Sequence, residues 1–126
     1  MAGAPADVVR EFCAAWRDLD LDRIVSFFAD DAVYHNIPVE PVAGRDAIRE
    51  TIAGFTAGAT SVEFRVLHLV ADGPVVMTER VDVFSLPNTT IELPVMGTFE
   101  VVDGRIAAWR DYFDLNQFMS QLTASS

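Results

Sequence analysis

A chain of 126 residues with nineteen acidic and nine basic side chains, a net charge of −10, repels nucleic acid and offers it no basic stripe. Its length suits one core and one domain over 1–126, and is too short for two. Hydrophobic residues make up 51% of it, a surplus that calls for an apolar pocket or a subunit interface. No apolar run approaches the roughly 18 residues of a membrane span, and Met1 to Asp7 lacks a charged then apolar leader. The single Cys13 has no internal partner, which agrees with a reducing compartment. A soluble, cytoplasmic protein is expected, with no membrane and no nucleic-acid partner.

Along the chain, Val8, Val9, Phe12, Cys13 and Trp16 recur at helical spacing between Asp7 and Leu19, with Pro5 and Asp7 as start signals. Asp20 or Asp22 caps a second, shorter helix whose buried face uses Leu21, Ile24, Val25, Phe27 and Phe28, and Asp30-Asp31 ends it in a turn. Ala32 to Ile37 alternates as a strand, Tyr34 and Asn36 on one side, Val33, His35 and Ile37 on the other, and Pro38 and Pro41 stop it. Gly44 to Phe55 is a third helix, broken at Gly54 and Gly58.

Strands follow. Thr60 to Ala71 leads through the Asp72-Gly73 hairpin signal into the run Thr78-Glu79-Arg80-Val81-Asp82-Val83-Phe84. Pro87 to Thr90 turns into Ile91 to Val102, expected to be bent or bulged at Pro94 and Gly97. Asp103-Gly104 turns into Arg105 to Leu115, and a small polar tail follows Leu122. Four long strands form an antiparallel meander. Helices first and a sheet afterwards predict an α+β fold, a curved, mainly antiparallel sheet forming a cone closed by N-terminal helices.

Chemistry concentrates on two strands. Arg80 and Asp82 share one face of theirs, bracketed by Val76 and Phe84, while Val75, Met77, Val81 and Val83 make the opposite face mostly apolar. Either the charged side is solvated, an exposed pair worth little, or it lines a pocket. On the last strand Asp111 lies between Trp109 and Phe113 on one face, where lost hydration raises a carboxyl's pKa and calls for a cationic partner. Two aspartates around one arginine balance when one proton is shared, giving one acid and one base. Arg80 offers a planar fork able to hold both. Tyr34 and Asn36 form a pair suited to orienting one water.

Tyr34-His35-Asn36-Ile37-Pro38, Glu79-Arg80-Val81-Asp82, Gly104-Arg105-Ile106 and Trp109 to Leu115 together resemble the limonene-1,2-epoxide hydrolase family, from the first helix to Phe118. Limonene-type members carry a longer N-terminal segment than this chain. The resemblance implies a nuclear-transport-factor-2-like (SnoaL-like) cone, a homodimer, and no cofactor or metal. It also implies a catalytic group on Asp82, Arg80 and Asp111, with Tyr34 and Asn36 as water-positioning residues.

The expected reaction adds water to a small apolar epoxide in one step to give a vicinal diol, Asp111 serving as base, Asp82 as acid and Arg80 as bridge. Leu67, Leu69, Val76, Leu93, Met96 and Phe113 are expected to line the substrate pocket. Two other readings use the same residues. A ketosteroid-isomerase-like or polyketide-cyclase-like proton-transfer enzyme would isomerise a β,γ-enone, and a non-catalytic binding domain would bind tightly without turnover. His35, His68 and Cys13 are read as structural, and Asn88-Thr89-Thr90 as a turn.

Overall fold

The computed structural model describes residues 4–124, and the side chain of Ala124 is not among them. The first three residues, read above for a leader, and the last two of the polar tail lie outside the described residues. The elements are α1 (Pro5–Ala15), a 3-10 turn (Trp16–Asp18), α2 (Leu21–Ser26), β1 (Phe28–Asn36), β2 (Val42–Ala43), α3 (Arg45–Thr56), β3 (Ser61–Asp72), β4 (Val75–Ser85), β5 (Thr90–Val102), β6 (Arg105–Tyr112) and α4 (Leu115–Ala124). No described helix is long and apolar enough to cross a membrane.

The strands form one curved, unclosed sheet in the order β2-β1-β6-β5-β4-β3. β3 to β6 make the expected antiparallel meander, and β1 joins it parallel to β6. Short turns set that meander: Gly73 has φ +58, and Asp103 and Gly104 have φ +52 and +78, the left-handed pair a tight two-residue hairpin needs.

One face of the sheet carries the core. The apolar stripe of α1 lies across it, with Val9, Phe12 and Trp16 fully buried and the Phe12 ring edge-on to Trp109 at 5.0 Å and to Phe99 at 5.9 Å. Asp20 caps α2 by accepting the Arg23 N–H at 3.2 Å, and Ile48 and Ile52 of α3 complete the cluster.

Three expectations need correction. Asp30-Asp31 is not a turn. It lies within β1, where the register against β6 shifts between Phe28 and Val33, so the polar pair occupies an irregular stretch of strand rather than its end. β5 has no bulge at Pro94 or Gly97, since its ladder with β4 runs unshifted from Val75↔Glu100 to Ser85↔Thr90, and the irregularity lies at Glu100/Val101 against β6. Pro94 is tolerated because β6 ends opposite Met96, leaving no strand to receive a hydrogen bond from residue 94. The polar tail expected after Leu122 begins instead as the end of a helix, α4, which starts at Leu115. Asp114 caps it, accepting the Asn116 and Gln117 N–H groups at 2.9 and 3.2 Å.

Candidate active site

Strand parity and register assemble the site. On β4 every second side chain from Val76 to Phe84 faces the core, so Thr78, Arg80 and Asp82 are buried while Met77 and Glu79 point out. The charged side of this strand is therefore the inner one. β1 runs parallel to β6 with Tyr34 beside Trp109 and Asn36 beside Asp111. Between β4 and β6, Gly97 of β5 pairs with Thr78 on one side and Asp111 on the other.

That glycine makes the contact possible. A Cβ at position 97 would stand 2.6 Å from Asp111 Oδ1 and collide with the Arg80 guanidinium, so the bare backbone leaves the groove through which Arg80 reaches Asp111. Arg80, 1% exposed, then uses all five of its N–H donors. Nε and Nη2 donate to the two oxygens of Asp82, each at 2.9 Å; Nη1 and Nη2 donate to those of Asp111 at 3.2 and 2.8 Å; the remaining Nη1 hydrogen meets Thr78 Oγ1 at 3.1 Å. Its Cζ lies 4.6 Å from the Phe64 ring centroid, a cation over an aromatic face.

Asp111 receives one more bond, from the Trp109 indole N–H to Oδ1 at 2.6 Å. The Tyr34 hydroxyl donates to Asn36 Oδ1 at 3.0 Å, and the Tyr34 ring stacks on Trp109 at 4.2 Å and 11°. Tyr34, Asn36, Asp82 and Asp111 open together into a cavity of about 160 Å³ whose other walls are apolar, from Val39, Phe55, Phe64, Phe84, Leu93, Val95, Phe113, Leu115 and Phe118.

Electrostatics raise the Asp82 carboxyl. Burial, reinforced by the charge of Asp111, pushes the Asp82 carboxyl up to about 6 against the attraction and hydrogen bonds of Arg80. Burial would lower Arg80, but Asp111 and Asp82 override it and hold the guanidinium well above its ordinary range. Burial, then the charge of Asp111, also lifts Tyr34 well above the usual phenol value, so its proton stays on. A buried arginine with two carboxylates carries one negative charge, and one shared proton removes it.

All five residues expected at the site are thus brought together. Of the expected pocket residues, Leu93 and Phe113 line the cavity. The other four do not. Leu67 and Met96 are 53% and 51% exposed, Leu67 because the β3 register shift beside it reverses the alternation and Met96 because it lies on the outer face. Val76 is sealed in the core, and Leu69 packs against that core's edge. Thr78, Gly97 and the α4 residues were not anticipated. The first two depend on a register no single strand reveals, whereas the i, i+3 spacing of Leu115 and Phe118 before Leu122 was a usable helix signal.

Known proteins share this sequence pattern and fold. The model of the limonene-1,2-epoxide hydrolase catalytic domain matches residues 3–124. The chain belongs to the limonene-1,2-epoxide hydrolase family. It is 35% identical over 107 residues to epoxide hydrolase EphG of Mycobacterium tuberculosis, covering 85% of this chain and 71% of that one. A solved limonene-epoxide-hydrolase-like epoxide hydrolase from M. tuberculosis superposes with a TM-score of 0.82 at 30% identity, over 96% of this chain and 90% of the other. The fold extends beyond the limonene-1,2-epoxide hydrolase family. A protein with a ketosteroid-isomerase-like fold from Catenulispora acidiphila, solved with trimethylamine, has a TM-score of 0.81 at 21% identity, covering 90% of each chain.

Proposed function

We propose that this protein is an epoxide hydrolase that adds water to a small apolar epoxide in one step, giving a vicinal diol. The observation that carries the reading is the pair of buried carboxyls bridged by an arginine with no N–H to spare, at the polar end of an apolar cavity. Ring opening by water needs help twice: water is a poor nucleophile, and the departing oxygen would be a strongly basic alkoxide. Asp111 takes a proton from a water held also by Tyr34 and Asn36, and the water oxygen attacks a ring carbon. As that carbon–oxygen bond breaks, Asp82 gives its proton to the ring oxygen. Arg80, with every donor engaged, cannot supply the acid, and its role is to keep both carboxyls in place. Afterwards Asp111 holds a proton and Asp82 is charged, so one transfer between them restores the start. Each proton transfer contributes about 10²–10⁴ in rate, and fixing the water adds to it.

The same donor count weighs against an isomerase. An oxyanion hole of the isomerase kind pairs a tyrosine donor with a protonated acid, whereas the Tyr34 hydroxyl is spent on Asn36 and Arg80 is saturated, which leaves protonated Asp82 as the one acid donor of the pair. The protein is further read as a homodimer. Val70, Met77, Met96 and Tyr112, from 46% to 64% exposed, all lie on the outer face of the sheet, an apolar surface matching the surplus in composition. No cofactor enters the scheme.

The test is a panel of cyclic terpene, steroid and simple alkyl epoxides together with a β,γ-enone. Diol formation is expected, with Asp82→Asn and Asp111→Asn each folded and reduced by at least about 10². Isomerised enone without any diol would overturn the reading.

A further inference from the structure

The epoxide hydrolase reading needs the shared proton on Asp82 and not on Asp111, yet Arg80 treats the two almost alike. Each carboxyl accepts two of its hydrogen bonds, each is 4% exposed, and the distances span only 2.8 to 3.2 Å. The difference comes from the next side chain on β6. Trp109 and Asp111 share the inner face two residues apart, and the indole N–H reaches Asp111 Oδ1 at 2.6 Å. Among the described residues Asp82 has no counterpart; its cross-strand partners are Phe64 and Leu93.

An indole nitrogen donates only, and does not titrate. Its hydrogen bond therefore favours the charged form of the carboxyl that receives it. Lone pairs make the effect specific to one oxygen. Asp111 Oδ1 already accepts from Arg80 Nη1 and Trp109 Nε1, while Oδ2 accepts only from Arg80 Nη2. Oδ2 is the oxygen left to take a proton from water. The donor itself is immobile: the Trp109 ring is fully buried, stacked between Tyr34 at 4.2 Å and Phe99 at 5.5 Å, with the Phe12 edge against it at 5.0 Å.

We propose that Trp109 is a positioning residue that assigns the proton of the aspartate pair: its indole N–H holds Asp111 as the anion, basic at Oδ2, and leaves the proton to Asp82. The titratable groups around the pair are Arg80 from β4, Tyr34 from β1 and Cys13 from α1. β3, β5 and α4 present Phe64, Leu93, Val95, Leu115 and Phe118 to the same cavity. Tyr34 and Cys13 keep their protons, the thiol being pushed up to about 12 by its burial, so neither distinguishes the two aspartates at neutral pH. Because Tyr34 stacks on the same indole, the base and the groups that hold the water share one support.

The experiment replaces Trp109 by Phe and, to keep the bicyclic shape, by 3-benzothienylalanine, in which sulfur stands for the N–H. Carboxyl protonation is followed by carbon NMR on aspartate-labelled protein without substrate, with Asp82→Asn and Asp111→Asn assigning the signals. In the wild type the pair's proton is expected on Asp82, and in both Trp109 variants it is expected to be shared with Asp111. With an epoxide substrate, kcat should fall about tenfold or more at unchanged KM, and the acid limb of the kcat profile should move up by about one pH unit. An unmoved proton in the benzothienyl protein overturns the proposal, whatever the activity. A wild type that hydrolyses no epoxide would overturn the functional reading alone, since the NMR result does not depend on turnover.

Discussion

Asp82 shows how one side chain's surroundings set a pH optimum. Its carboxyl is raised to about 6 by burial, so it binds a proton more tightly folded than unfolded, and the stability linked to that proton is whole below about 3.8 and lost as pH rises through about 6. Catalysis has the same sign. If Asp82 is the acid, kcat should decline as pH rises through about 6, and a pH–rate profile reads this directly. Gly97 is the complementary case, a residue whose value lies in what it lacks. Gly97→Ala should remove turnover and destabilise the protein by about 1–3 kcal/mol in urea unfolding, because the added methyl must displace Arg80 or Asp111 rather than a flexible surface group. Alternation showed that Arg80 shares a face with Asp82 and Tyr34 with Asn36, and that Asp111 lies between two aromatics, but it left open whether the charged side met solvent or a pocket; the family resemblance grouped the five residues into one site. The parts of Thr78, Gly97 and the Trp109 indole were not legible, because each arises from which strands are neighbours and in what register.

At the scale of elements, α4 occupies the place of a missing strand. β6 stops opposite Met96, which leaves the far half of β5 with one free edge. There Gln121 of α4 accepts the Glu92 N–H at 3.0 Å and donates to the Glu92 carbonyl at 2.8 Å, the two bonds a neighbouring strand would make. Phe118 meets Phe84 edge-on at 5.8 Å and, with Leu115, closes one wall of the cavity. Gln121→Ala should weaken this attachment by about 0.5–1.5 kcal/mol, seen as faster hydrogen exchange at the Glu92 amide. Phe118→Ala should widen the cavity and raise KM for compact epoxides more than for bulky ones. The start of β1 and the existence of α4 escaped the sequence for related reasons. Asp30-Asp31 has turn chemistry but lies in an irregular strand, and α4 is short and amphipathic, directly follows a strand, and ends in the small polar residues after Leu122 that read as a tail.

For the molecule as a whole, the two faces of the sheet differ in what they carry. Its inner face holds the core at one end and the acid pair at the other, while its outer face carries apolar residues that stay exposed among the described residues. If that face joins two copies, Met96→Glu should give a monomer by light scattering and leave the inner face intact. The α+β class and the meander were legible because the four long strands follow one another without a helix between them; the sheet order was not, since β1, from among the helices, must travel to the side of β6 to bring Tyr34 and Asn36 to Asp111. The central claim is that water itself opens the epoxide, with Asp111 as base and Asp82 as acid. A single turnover in ¹⁸O-water, followed by mass analysis of product and protein, tests it most directly: the label should appear in the diol at once, and unlabelled diol with ¹⁸O entering an aspartate carboxyl would contradict it.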